Sequence, residues 1–159
     1  MSDNDLSPDD GWSIVEGTWE SVLQTEAVPG DPDVVLHDPL TASVAVAGDP
    51  TRLVTFTCGR VAGEAVARAM LDLPDDEQVT DEDVEDAAGE VVNILGGNVK
   101  SVLDGATRLG LPNVVAGGVA QTGDALWQTS VQWAGHVAQV ALWRQDTFEN
   151  DDAERMAAR

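Results

Sequence analysis

The sequence is short of three things: cysteine, basic residues and long apolar runs. Among 159 residues only Cys58 is a cysteine, which excludes an internal disulfide and fits a reducing compartment. Hydrophobic residues make up 43% of the chain, which is typical of a globular protein, yet no apolar run approaches the roughly 20 residues of a membrane span. The N-terminus is acidic and has no apolar signal-peptide segment. These absences predict a globular cytoplasmic protein.

Basic residues are scarce, with 8 Lys and Arg against 29 Asp and Glu, a formal net charge of -21. Lys100 is the only lysine. Such a surface repels phosphate backbones and anionic lipids, so we expect neither nucleic acid nor a membrane as a partner. The overall negative charge is explained without a specific role, either as an aid to solubility in a salt-adapted organism or as the result of a high-GC genome. A protein partner would therefore have to bind a local patch.

Hydrophobic periodicity predicts an α+β fold. Apolar positions at helical spacing indicate a first helix from Trp12 to the VPGDP loop, and two alternating runs predict a β-hairpin over residues 41–58. A second helix follows, and a third begins after Thr80 and runs to about Asp104. A short strand after Pro112 and a final hairpin turning at AGH complete an antiparallel or mixed sheet packed with two long helices.

The predicted organisation is one domain over residues 12–144. Residues 1–11 are polar and rich in aspartate, so we expect an acidic flexible N-terminal tail there. Residues 145–159 are also polar and are expected to form a C-terminal tail. The chain shows no low-complexity repeat and no domain linker.

The third predicted helix contains an unusual stretch, GEVVNILGGNVKSVL, with glycines on both sides of Asn93. On a helical wheel Glu90 and Asn93 are neighbours on the polar face, and Asp86 and Gly97 share their stripe. The opposite stripe is apolar and is expected to pack on the sheet. Its members are Val84, Ala88, Val91, Leu95, Val99 and Val102.

The glycines raise a question, because each one inside a helix costs about 1 kcal/mol relative to alanine. Gly89, Gly96 and Gly97 surround Asn93 on the wheel. One interpretation is that they leave space around Asn93, so that the surface of a docking partner can approach the helix and contact the amide. The other is that they let a second helix of this chain pack closely, with Asn93 incidental. Spacing alone leaves both open.

The chemistry available on the polar face is limited. The Asn93 amide offers an acceptor and a donor, so it can orient a water molecule but is no acid or base near pH 7. Glu90 can contact a cationic group of a docked partner. Asn98 lies toward the apolar side, and we expect its side chain to hydrogen-bond to nearby backbone.

Other catalytic devices are not indicated. Cys58 is expected in the core, and His37 and His136 are expected to be ordinary residues. The run DDEQVTDEDVED lacks the order of a calcium loop and suits the positive end of a helix, so no metal site is predicted. Three tryptophans of the last hairpin are expected to pack in the core or at a dimer interface: Trp127, Trp133 and Trp143.

The run DAAGEVVNILGGNVKSVL resembles the signature of the CheC/CheX/FliY family of response-regulator phosphatases. That signature is an acidic or serine residue, three residues, Glu, two residues, Asn and a downstream Pro. The matching positions are Asp86, Glu90, Asn93 and Pro112. The residues that follow the motif on the helix, Gly96, Gly97 and Asn98, also resemble those of the family. The resemblance extends from about residue 14 to residue 143. The single Glu-x-x-Asn helix and the spacing to Pro112 favour CheX over CheC, which has two such helices.

The resemblance implies a CheX/CheC-like fold and hydrolysis of the aspartyl phosphate of the chemotaxis regulator CheY or a similar receiver domain. Asn93 would hold the attacking water, and Glu90 would pair with the regulator's active-site lysine. Mg²⁺ would stay on the regulator, so no cofactor is expected on this chain, and a homodimer is implied. Val91 and Val92 depart from the small residue that often precedes the family's Asn. The alternatives are a non-catalytic binding module of the same fold and, more distantly, a structural assembly protein.

Overall fold

The computed structural model describes residues 6–48, 51–103, 105, 108–118 and 125–144. Helix α1 spans Pro8–Thr18 and continues into a π-helical segment over Trp19–Leu23. Helices α2 and α3 span Arg60–Leu71 and Asp81–Val102. The strands are β1 Val28–Pro29, β2 Leu40–Ala47, β3 Arg52–Cys58, β4 Arg108–Leu109, β5 Asn113–Ala116, β6 Trp127–Trp133 and β7 His136–Arg144.

All seven described strands form one antiparallel sheet in the order β1-β6-β7-β3-β2-β4. Strand β5 pairs with β2 beside β4, so the two short strands share one edge of the sheet. The apolar faces of α2 and α3 pack on one face of this sheet. The predicted α+β fold with antiparallel pairing is confirmed.

Helix α3 begins where the sequence predicts. The Thr80 hydroxyl accepts from Asp83 N–H at 3.1 Å, and the Asp83 carboxylate accepts from Thr80 N–H at 3.0 Å. This reciprocal capping box satisfies two N–H groups that the first turn would otherwise leave unpaired. The helix ends at Val102, and the predicted end, Asp104, lies outside the described residues.

The apolar stripe of α3 is buried from Val84 to Val99, as predicted. The prediction is wrong for Val102, because its side chain is 54% exposed. The helix stops there, and Leu103 continues in an extended conformation with φ -94° and ψ 126°. This change of direction turns Leu103, instead of Val102, into the core.

The predicted N-terminal tail is wrong for residues 6–11. Helix α1 starts at Pro8, with Ser7 as N-cap accepting from the N–H of Asp10 at 3.1 Å. Leu6 joins the core, and Gly11 packs so closely on the indole of Trp127 that a Cβ atom would not fit. A serine cap followed by proline and two aspartates is a helix-start signal. Residues 1–5 and 145–159 lie outside the described part of the chain.

The final hairpin turns at Ala134 and Gly135, whose φ angles of 46° and 82° fit a two-residue hairpin turn. The tryptophans Trp127, Trp133 and Trp143 are buried, in agreement with a core role. Trp19, also buried, packs edge-to-face against Trp133 with ring centres 5.4 Å apart. Strands β1 and β4 were not predicted, since two-residue strands carry no recognisable alternation.

Candidate functional site

A shallow groove of about 350 Å³ lies between α3 and the chain from Pro112 into the start of β5. On the side of the groove formed by α3, Glu90 is exposed and Asn93 is half-buried. The structure thus brings together the four residues of the predicted signature. The groove is lined by Glu85, Asp86, Gly89, Glu90, Asn93, Pro112, Asn113 and Val114.

Pro112 reaches the groove because the chain around it is tied to the edge of the sheet. Strands β4 and β5 both pair with β2, and the N–H of Gly110 between them donates to Ala45 O at 2.8 Å. The proline then lies beside the buried Gly89, where a Cβ atom would be 3.8 Å from Pro112 Cβ and 3.7 Å from Val114 Cγ2. These are ordinary contact distances, so the two sides of the groove approach each other at Gly89 and Pro112.

The glycines do not act as one set. Apart from its two chain neighbours and the adjacent backbone of α3, Gly97 has no described atom within 4 Å of the place where a Cβ would stand, so the surface one turn beyond Asn93 is open. Gly96 is buried against the sheet, and a Cβ there would lie 2.5 Å from Val44 Cγ1. Of the two interpretations left open by the spacing, cleared space around Asn93 agrees with Gly97, whereas Gly96 serves close packing, with the sheet and not with a second helix. No second helix covers Asn93 in the described part of the chain, which leaves the amide in the groove.

Asn98 makes a different contact from the predicted one. Its Nδ2 donates to Thr18 Oγ1 at 3.0 Å, and that hydroxyl donates in turn to Ile14 O at 2.7 Å. The predicted bond from Asn98 to nearby backbone is therefore wrong, because α1 packs against α3 and places a hydroxyl within reach. Asn98 ties two helices together and does not line the groove.

The groove presents three carboxylates, from Glu85, Asp86 and Glu90. In the described ranges, the side chains of Glu90 and Asn93 have no hydrogen-bond or ion-pair partner. Both groups are therefore available to a docked molecule, and a cation on that molecule would be attracted. No three His, Cys, Asp or Glu residues are arranged to hold a metal ion among the described positions.

The lone thiol is not part of this site. Cys58 is fully buried at the end of β3, and burial raises its pKa to about 12. The thiol is therefore protonated at neutral pH, and only the thiolate is a good nucleophile. The predicted placement of Cys58 in the core is confirmed.

Sequence reasoning missed Glu85, Asn113 and Val114 as groove residues. A signal for Glu85 was present, because residues 85, 89 and 93 follow one another at steps of four and share a helical stripe. Asn113 and Val114 carry no such signal. They enter the groove only because β5 pairs with β2 and thereby stands beside α3.

Residues 40–129 match the sequence profile of a family described as chemotaxis phosphatase CheX. This match covers more than half of the chain and includes every groove residue. The chain belongs to the CheX family. No curated protein sequence shows significant similarity to it.

Solved CheX structures share the fold. The CheX protein of Desulfovibrio desulfuricans has a TM-score of 0.67 and 19% identity, over 86% of this chain and 97% of that one. CheX of Vibrio vulnificus has a TM-score of 0.68 and 16% identity, over 85% and 93% of the two chains. The CheX–CheY–BeF₃–Mg²⁺ complex of Borrelia burgdorferi contains a chain with a TM-score of 0.64 and 14% identity, over 85% and 95%. Among the described helices of this CheX-family protein, none is both long and apolar enough to cross a membrane.

Proposed function

We propose that this chain is a phosphatase that hydrolyses the aspartyl phosphate of a CheY-like receiver domain. Membership of a family of chemotaxis phosphatases supports the reaction class. A similar chain has been solved in complex with CheY, beryllofluoride and Mg²⁺, which supports a receiver domain as the partner. The observation that carries the assignment of residues is the open groove in which Glu90 and Asn93 lie one helical turn apart.

Asn93 is the proposed water-positioning group. In the reaction a water oxygen attacks phosphorus, the bond from phosphorus to the receiver's aspartate oxygen breaks, and the carboxylate leaves with the electron pair. The proton lost by the water passes to phosphate or solvent. Phosphoryl transfer depends mainly on position and on charge stabilisation, so a neutral amide that aligns the water is sufficient. No nucleophile from this chain is needed.

Glu90 is proposed to pair with the active-site lysine of the receiver. The carboxylate is exposed on the same groove and has no partner among the described residues, so it can make a charge-assisted bond to an ammonium group. Glu85 and Asp86 add negative charge beside it. We expect Mg²⁺ to be held by the receiver, where it would neutralise charge on the phosphoryl group.

The test is phosphate release from receiver domains of the same organism charged with acetyl phosphate and Mg²⁺. Wild-type protein should accelerate release, and Asn93→Ala should reduce that acceleration about a hundredfold or more. Glu90→Ala should weaken binding to a receiver loaded with beryllofluoride, a stable mimic of aspartyl phosphate.

A matched control is available on the same helix. Asn98→Ala removes the same amide but at a position that faces α1, so its catalysed rate should stay close to that of wild type. Equal rates for wild type and Asn93→Ala, with receiver binding intact, would contradict the proposed role of Asn93. If both proteins bound the receiver but neither released phosphate faster than the receiver alone, the alternative would be supported, a CheX-like module that binds a receiver without hydrolysing its phosphate.

We also propose that the protein works as a homodimer in the cytoplasm, in line with the family resemblance. Multi-angle light scattering of the purified chain measures its mass directly. A mass of one chain at the concentrations used for phosphate release would contradict the dimer and leave the assignment of Asn93 unaffected.

A further inference from the structure

A second depression, here called the side pocket, adjoins the groove toward the start of α3. It has a volume of about 230 Å³. Leu40 and Val84 form a buried apolar floor, and the exposed Ala116 lies at one wall. Glu85 and Val114 line both the side pocket and the groove, so the two depressions are continuous.

The side pocket is held in shape by close packing and backbone hydrogen bonds. Gly63 of α2 lies against its floor, and a Cβ at that position would be 2.9 Å from Val84 Cγ1 and 3.3 Å from Leu40 Cδ2. The N–H of Gly117 donates to Pro39 O at 2.8 Å, which fixes the wall that precedes β2. A preformed pocket binds a side chain with little ordering cost.

The rim of the side pocket is acidic overall. Its one described cation, Arg60, pairs with Asp81 and with Glu64, the latter at 2.9 Å. The hydrogen bonds that Arg60 donates to Asp81 and, second, to Glu64 raise its pKa, so the guanidinium stays charged and is already neutralised by these acids. Asp38 and Glu85 also line the pocket and add negative charge. A basic residue on a docked segment would be favoured there.

Size argues for a protein partner as the occupant. Pockets for drug-sized molecules measure roughly 300–1,000 Å³, which is larger than this one. A stable protein interface covers about 800 Å² on each partner, more than a single groove of eight lining residues provides. A receiver domain that docks on Glu90 and Asn93 must therefore cover neighbouring surface, and the side pocket is the continuous apolar depression on one side of them.

We infer that the side pocket receives an aliphatic side chain of the receiver domain, on a segment that also carries a basic residue. This inference rests on the proposed function. It assigns receiver selection to the side pocket and water positioning to Asn93. The two roles predict different kinetic defects.

Ala116 offers the cleanest substitution. It pairs with Leu40 across the strands, so its side chain lies on the same face of the sheet as Leu40, which forms part of the pocket floor. Ala116→Phe should fill the pocket, and Ala116→Asp should place a hydrated carboxylate against the apolar floor, where it disfavours an aliphatic side chain. Both should raise the KM for phosphate release, and the Kd for a beryllofluoride-loaded receiver, about tenfold. The kcat should stay within about twofold, whereas Asn93→Ala lowers kcat.

Two controls separate docking from folding. Val28→Asp places the same charge on the opposite edge strand, at a valine that is 45% exposed, and should leave KM unchanged. Ala116→Ser keeps the size of the side chain and should bind the receiver nearly as well as wild type. Thermal unfolding of each variant checks that the domain is intact.

The outcomes are distinguishable. Unchanged KM and Kd for both Ala116 variants, with turnover still abolished by Asn93→Ala, would overturn the inference and leave the proposed function standing. A changed sedimentation mass without a change in KM would also overturn it, because a second copy of this chain would then occupy the pocket. No binding of wild type to any charged receiver would overturn both proposals together.

Discussion

Gly96 and Gly97 are adjacent on α3, yet their surroundings are opposite. A Cβ at position 96 would lie 2.5 Å from Val44 Cγ1 and 2.9 Å from Leu109 Cδ1, so the sheet can approach the helix only because this residue is glycine. At position 97 no described atom beyond the flanking residues and the adjacent backbone of α3 comes within 4 Å of the corresponding point. Packing within the chain requires a glycine at position 96 but not at position 97.

The difference separates two kinds of explanation for a glycine in a helix. Each costs about 1 kcal/mol relative to alanine. For Gly96 the close contact with β2 offsets that cost. For Gly97 the described structure contains no contact that does so, and this residue lies one turn beyond Asn93, next to the groove where we propose that a partner docks. The sheet side of α3 therefore contributes to stability through packing, and the groove side is where we propose that a receiver binds.

The largest effect on stability is expected at the sheet side. Gly96→Val should lower the free energy of unfolding by about 3 kcal/mol, because its side chain would overlap Val44 and Leu109. Urea unfolding followed by circular dichroism measures this loss. Gly97→Val is the matched control and should change stability far less. Equal losses at the two positions would show that the contrast between them is wrong.

A smaller effect is expected where α3 meets α1. Asn98→Ala removes the donor to Thr18 Oγ1 and should lower the free energy of unfolding by about 1 kcal/mol. A double-mutant cycle with Thr18→Val isolates the contribution of this bond. If the two losses were simply additive, the bond would contribute nothing, and Asn98 would have to act in some other way.

Much of the fold was predictable because its signals are local. Two alternating runs predict β2 and β3, and the Thr80 capping box fixes the start of α3. Helical spacing places Asp86, Glu90 and Asn93 on one face of α3, since residues three or four apart share a helix face. The family resemblance, and not the spacing, marks them as signature residues.

The errors arise where a residue's environment depends on distant parts of the chain. Nothing local separates Gly96 from Gly97, because their roles depend on where β2 passes beneath the helix. The partner of Asn98 lies 80 residues away on α1. Asn113 enters the groove only through strand pairing. Such contacts follow from topology, which a local pattern does not contain.

The smallest and most decisive change is at Gly97. Gly97→Ala should raise the free energy of unfolding by up to about 1 kcal/mol, because alanine favours a helix and the space for its methyl group is open. Gly97→Leu should keep the domain folded but weaken binding of a beryllofluoride-loaded receiver, since the larger side chain would project beside Asn93. Isothermal titration calorimetry measures that loss, and the side-pocket control Val28→Asp provides the baseline. If Gly97→Leu bound the receiver as tightly as wild type, the open surface beyond Asn93 would not be part of the docking site, and Gly97 would have no explanation in binding.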